Sequence, residues 1–481
     1  MSFAQDMLVD EVATEVNPYI LGSFGPVHTE VASSDLTVIG EIPADLHGVY
    51  YRNGPNSQLA PRGRYQWFDG DGMVHAVHFE DGTASYRNRY VRTNAFRQEL
   101  AAQRPIWEGI RETRTNNPGH WWKDTANTDV VFFDNKLLAL WYLSGDPYAM
   151  DPMTLETLGV EDFRGTRSCS LSAHAKIDEA TDELFFFDYG NEAPYLRYGV
   201  VGPSGAVTHL VDIDLPGPRL PHDMAITENY SVLLDLPLVN DPAAFAAGRH
   251  KLVFHRDWPS RFAVIPRHGS SSDVRWFEAD PCYFYHVVNA WEEGPADNRE
   301  IVLDICRMEQ PTPRQDVATS LDKLISLLQL EAHLYRYRFN LATGRTTEGY
   351  RDDANTEFPM VNLSMAGRKT RWSYNVRIAD NPIQVFDGLV KYDLETGERQ
   401  THEFGPGRFG SEAPFASRPD PTSEDDGYVV SFVHDENTDR SEVVILDAQD
   451  FTAPPIGRVI LPQRVPLGFH GTWARGDQLA K

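Results

Sequence analysis

The chain reads as an all-β protein, and three observations favour a β-propeller among the closed β architectures. Short strand-like runs punctuated by turn signals every ~8–12 residues fill it from Val38 to Leu461. A histidine-led hairpin recurs: His174, His222 and His286 each open a strand, with a turn and an apolar strand behind, at spacings of 48 and then 64 residues. Those spacings lie near the length of one four-stranded propeller blade. No linker, low-complexity tract or charge block divides the 481 residues, so they read as one domain, 1–481, with a short N-terminal arm over 1–18.

In chain order, 1–16 reads as a loosely amphipathic helix or a disordered arm, and 19–26 as a loop. Residues 73–79 alternate with period two, and Glu80-Asp81-Gly82 leads into 84–91, a strong hairpin signal. Residues 94–103 carry Phe96, Leu100 and Ala101 at helical spacing, and 105–122 form an aromatic-rich insertion with Trp107, Trp121 and Trp122. Strand, turn and strand follow over 130–141 around Asp134-Asn135. The run 172–178 containing His174 reads as extended, and the apolar strand 184–187 answers it. The strongest helix signal is 315–331, where Leu321, Leu324, Ile325 and Leu328 make one stripe behind Pro311 and Pro313. Strands resume at 333–339 and continue to 458–461.

Composition excludes several functions. Lys plus Arg number 44 against 70 Asp plus Glu, a net charge of −26; such a field repels phosphate backbones, so nucleic acid is not a partner. Cys169, Cys282 and Cys306 show no C-x-x-C spacing, the usage of a reducing cytosol. Acidic residues interrupt the first sixteen positions and no run of 18 apolar residues exists. A cytoplasmic location is expected, any membrane contact would be peripheral, and no obligate protein partner is indicated.

The histidines carry the chemistry. A propeller gathers one end of every innermost strand around a shared axis, so His174, His222 and His286 can meet there, joined by His470 near the C-terminus. Neutral imidazole is the commonest ligand for iron, copper and zinc. Four of them leave a divalent ion its full charge, and an octahedral ion so held keeps two positions open. That differs from the two-histidine, one-carboxylate triad.

Ordered motifs extend this reading. They include Tyr51-Arg52-Asn53-Gly54-Pro55-Asn56, Trp67-Phe68-Asp69-Gly70-Asp71-Gly72-Met73-Val74, Thr125-Ala126-Asn127-Thr128, Pro221-His222-Asp223, His286-Val287-Val288-Asn289-Ala290-Trp291 and His470-Gly471-Thr472-Trp473. With them the chain resembles the carotenoid cleavage oxygenases over nearly its whole length. The resemblance implies a seven-bladed propeller with a helical and loop dome over one face. It implies Fe(II) held by His174, His222, His286 and His470, and a tunnel for an apolar substrate.

The family places three glutamates behind the ligands. Glu357 and Glu412 match two of them, but the third position is Tyr142, with Asp146 nearby as a substitute. A phenol brings no charge near pH 7, so one ligand should be less firmly held. Phe68, Ile110, Thr128 and Trp141 match substrate-pocket positions. Stilbene-cleaving members carry a lysine where Trp141 stands and a tyrosine where Ile110 stands. Trp and Ile reward polyene surface at about 25 cal/mol per Å².

The resemblance therefore implies dioxygen-dependent cleavage of one C=C of a carotenoid or apocarotenoid-like alkene into two carbonyl products. Stilbenoids and isoeugenol-like phenylpropenes are the alternative, and a weakly active carotenoid-binding protein a further one. No acid–base side chain is required, which makes Asp71, Asp223 and Glu292 structural.

Overall fold

The structure, a computed structural model, describes residues 17–61, 63–113, 117–118, 122–309, 311 and 328–480. Residues 1–16, Trp121 and all of the expected 315–331 helix before Leu328 lie outside the described residues. Within them the strands form seven sheets of four or more strands, plus a two-stranded ribbon of Leu238–Asn240 with Leu252–Phe254. This is a seven-bladed propeller.

Continuous apolar runs make the blade interiors. Leu184, Phe185, Phe186 and Phe187 lie in Glu183–Tyr189, the second strand of its blade, and all are buried because both faces pack on neighbouring blades. Phe185, Phe187, Tyr198 and Val200 meet Leu233, Ala263 and Ile265 of the next blade in one cluster. The outermost strand, Val207–Asp212, instead alternates half-buried and exposed residues, since one face meets water. Turn chemistry also follows the sequence. Asp81 and Gly82 both take left-handed backbone (φ 47° and 71°) and join Gly72–Glu80 to Thr83–Tyr90. Asn94–Ala102 forms the expected helix, capped by Thr93 accepting from the Phe96 amide at 3.1 Å.

The ring closes through both ends of the chain. The C-terminal strand Gly471–Arg475 pairs antiparallel with Gly48–Pro55, Trp473 opposite Tyr50. Thr37–Gly40 completes the preceding blade on Gly457–Ile460. The first strands of successive blades touch: Ala225–Ile226 meets Tyr283–Glu293, which meets Thr356–Met360. Their starts encircle the axis.

Three local expectations change. The 19–26 stretch holds two single-turn 3-10 helices, Pro18–Ile20 and Gly22–Phe24. His174 is not extended but left-handed, at φ 68°, just before Lys176–Asp178. His286 does not open its strand; it sits inside Tyr283–Glu293 where the pairing register shifts between Phe284 and Val287. Such a bulge re-aims a side chain.

Candidate metal centre

Four blades deliver one buried histidine each. One ring nitrogen from each of His174, His222 and His286 lies within 4.8 Å of the other two. His470 joins them with its ring 4.5 Å from that of His174 and 4.6 Å from that of His286. His174 and His286 each lie against all three other rings, whereas His222 and His470 share no ring contact among the described residues. The latter two therefore stand across the cluster from each other.

Left-handed backbone at a non-glycine residue costs of order 1–3 kcal/mol and needs support. At His174 a carboxylate supplies it: Asp129 Oδ2 accepts from the His174 amide at 3.0 Å. Asp223 does related work at the next histidines. It accepts from the Val287 amide (2.8 Å), beside His286, and pairs with Lys176 (2.7 Å), two residues past His174. One aspartate thus ties together the backbone segments carrying three of the histidines.

Burial holds the His174 and His286 imidazoles well below the ordinary histidine range, and carries that of His222 down to about 3. These three are neutral, with lone pairs free for a metal. At His470 burial also disfavours the cation, but the Glu412 carboxylate outweighs it and raises the pKa.

Carboxylates stand behind two of the rings. His470 Nδ1 lies 2.9 Å from Glu412 Oε1, and Glu357 Oε2 bonds the Nδ1 of His286. With each outer nitrogen engaged, the Nε2 atoms face inward. His222 has no such partner: no hydrogen bond reaches its ring among the described residues. Tyr142 lies 5.8 Å away, ring to ring, and Tyr285 meets the ring edge-on at 4.8 Å. Asp146 does not substitute. Its carboxylate is bound by Arg167 at 2.9 Å, a stronger local partner than a neutral imidazole.

Two cavities with no lining residue in common touch the cluster. One, of about 290 Å³, reaches His222 and is lined by Phe68, Ile110, Tyr142, Tyr189, Tyr283, Tyr285 and several leucines. It lies at the lower end of the size range for small-molecule sites. The other, of about 160 Å³, reaches His174, His286 and His470 and is lined by Asp129, Asp223, Glu412 and Lys176.

Of the pocket positions read from sequence, Phe68 and Ile110 line the apolar cavity, Phe68 stacked on Phe469 at 4.4 Å. Trp141 and Thr128 are buried beside it without lining it. Asp71 is held by Lys123 and Glu292 by Thr227, Asn229 and Arg299. Of the four lining tyrosines, Tyr142 alone stands out in the sequence, for its place behind the histidines. Tyr283 and Tyr285 share one face of a strand by period two, the signal that marks them. Nothing local to Asp129 announces its bond across to His174.

The cluster's own chemistry tests whether a metal fits. The Nε2 atoms of His174 and His286 are buried and without any hydrogen-bond partner, an arrangement costly for polar groups unless an ion takes the lone pairs. Four converging imidazoles, with carboxylates behind two, suit a single divalent transition ion. The fold and site thus define a seven-bladed propeller of the axial-histidine, metal-binding kind. The sequence matches the retinal pigment epithelial membrane protein family over residues 24–475.

A carotenoid 9,10(9',10')-cleavage dioxygenase of Crocus sativus is 37% identical over 500 residues, covering 96% of this chain and 90% of the relative. A carotenoid cleavage oxygenase of Mycobacterium tuberculosis is 33% identical, covering 97% and 99%. Among solved structures, the lignostilbene dioxygenase of Pseudomonas brassicacearum superposes with a TM-score of 0.87 at 32% identity, covering 95% and 98%. A cobalt-substituted Synechocystis apocarotenoid oxygenase gives 0.82 at 28%, covering 94% and 97%. The chain belongs to this family, the carotenoid cleavage oxygenases.

Proposed function

We propose that the chain is an Fe(II)-dependent dioxygenase. It cleaves one C=C of an elongated, apolar alkene of the carotenoid or apocarotenoid type into two carbonyl products, with His174, His222, His286 and His470 as the iron ligands. The observation that carries this is the pair of buried, unpartnered Nε2 atoms at the point where the four rings converge, one of which, His222, opens on an apolar cavity. The names and extent of the relatives support the reaction class. They also favour treating 1–481 as one functional unit. Three free cysteines favour a cytoplasmic location, and among the described residues no helix is long and apolar enough to cross a membrane.

Ferrous iron, when bound, supplies the activation of dioxygen. The chain's residues bind, orient and exclude water. Phe68 on Phe469, with Ile110, forms a wall for polyene surface. Thr128 is fixed: its Oγ1 donates to Asn127 (3.1 Å) and accepts from the Tyr142 amide (3.2 Å), while its carbonyl accepts from the His470 amide at 3.2 Å. Both oxygens are thus occupied, which leaves the methyl as the face free for close packing. Glu357 and Glu412 hold the outer protons of His286 and His470.

The second reading is cleavage of a stilbenoid or phenylpropene, favoured by the four tyrosines around the cavity and by the lignostilbene dioxygenase neighbour. One experiment decides. Protein loaded with iron anaerobically is exposed to air with apocarotenals, resveratrol-type stilbenes and isoeugenol, and the aldehydes are read by mass spectrometry. Cleavage of apocarotenals bears the proposal out. Cleavage of stilbenes alone establishes the second reading, and no dioxygen uptake with any of them overturns both.

A further inference from the structure

The cavity that reaches His222 runs against the composition of the chain. The protein has 70 Asp plus Glu against 44 Lys plus Arg, yet among the described residues that line this cavity the lysine and arginine are Lys251 and Arg111 and none is a carboxylate. The acids nearest Arg111 are already engaged. Glu112 is held by Arg64 at 2.9 Å, and Asp69 accepts from the amides of Ile110 (2.9 Å) and Gln66 (2.8 Å). Among the described residues the Arg111 guanidinium makes no hydrogen bond and no ion pair, although it is half-buried. Lys251 reaches Asp241 only at 3.4 Å and is 64% exposed, a loose, solvent-screened pair.

A partly desolvated guanidinium without a partner is costly, and its planar fork matches a carboxylate in two parallel hydrogen bonds. Burial and the neighbouring Arg64 lower the Arg111 pKa, and the Asp69 and Glu112 carboxylates offset only part of that. The rest of the lining is apolar or phenolic: Phe68, Ile110, Leu220, Leu252 and the tyrosines. One cavity therefore brings together an imidazole of the histidine cluster, apolar and phenolic walls, and two cations.

We propose that the preferred substrate is an elongated alkene ending in a carboxylate, its anionic end held by Arg111 and its polyene lying toward His222. This rests on the alkene-cleavage reading and names the class of alkene.

The test separates binding from turnover. Iron-loaded protein kept anaerobic is titrated with all-trans-retinoic acid and with its methyl ester, followed by quenching of tryptophan fluorescence. The wild type should bind the acid about 10–100-fold more tightly than the ester, the range of a charge-assisted hydrogen-bonded pair. Arg111→Met should abolish that preference while ester binding persists, and Arg111→Lys should restore part of it. Equal affinity of the wild type for acid and ester, or an Arg111→Met protein that keeps the preference, overturns the proposal. Since no cleavage is required, a protein that discriminates the acid yet cleaves no alkene in air keeps Arg111 as the carboxylate-binding residue and refutes the reaction instead.

Discussion

The Nδ1 of His470 lies 2.9 Å from Oε1 of Glu412, whose other oxygen accepts the Gly471 amide at 2.6 Å. The carboxylate orients the ring and raises its pKa against the effect of burial. Below that pKa a metal must displace the Nε2 proton of the imidazolium, while Nδ1 keeps its proton toward Glu412. Affinity should therefore hold above the raised pKa of His470 and fall about tenfold per pH unit below it, one proton being released per ion bound. Glu412→Gln should move this proton-linked step to lower pH and weaken metal binding about 10–100-fold. Calorimetry in buffers of different ionisation enthalpy counts the proton directly.

Behind His222 the arrangement is different, because Tyr142 offers a ring and not a carboxylate. Its hydroxyl makes no hydrogen bond among the described residues, and burial pushes its pKa well above the ordinary phenol range, so it stays neutral. Tyr142→Phe should leave metal affinity unchanged. Tyr142→Glu should slow metal release, as chelator competition would show. A large loss of metal in Tyr142→Phe would assign the hydroxyl a direct part in holding His222.

Metal removal should loosen the whole ring, since the four histidines come from four separate blades. At free metal 100-fold above Kd, binding to the folded state alone contributes about 2.7 kcal/mol. Calorimetric melting of chelator-treated against reloaded protein should show the metal-free form melting lower. Coincident transitions would mean that the site does not bridge the blades.

Ring closure has a weak point at Gly48, whose backbone lies at φ 155° opposite the last strand. A Cβ there would meet the Ala474 carbonyl oxygen at 2.4 Å and the Trp473 ring at 2.6 Å. Gly48→Ala should destabilise by about 1–3 kcal/mol, seen as a lower denaturation midpoint with unchanged m-value.

Much of this was legible in the chain because local chemistry dictates it. Asp81-Gly82 can hardly be other than a tight hairpin turn, and the all-apolar run 184–187 needs two packed faces. The recurring histidines marked the inner strands around one axis, although His174 and His222 stand just before theirs and His286 inside its own. What stayed hidden depends on partners distant in sequence. The Asp129 carboxylate bends His174 into a left-handed turn from 45 residues away, and Arg111 stands out only once Arg64 is seen to have claimed Glu112. Asp146 looked available beside Tyr142 until Arg167 proved to occupy it. The bulge that aims His286 inward has no composition of its own, being set by the pairing of two long strands.

The central claim is that four imidazoles hold one ferrous ion as its only protein donors. Iron content, measured by elemental analysis on wild type and on His174→Ala, His222→Ala, His286→Ala and His470→Ala, tests it most directly. One iron per chain in the wild type and its loss in every variant is the result predicted. A variant that folds and retains the full complement of iron would contradict it.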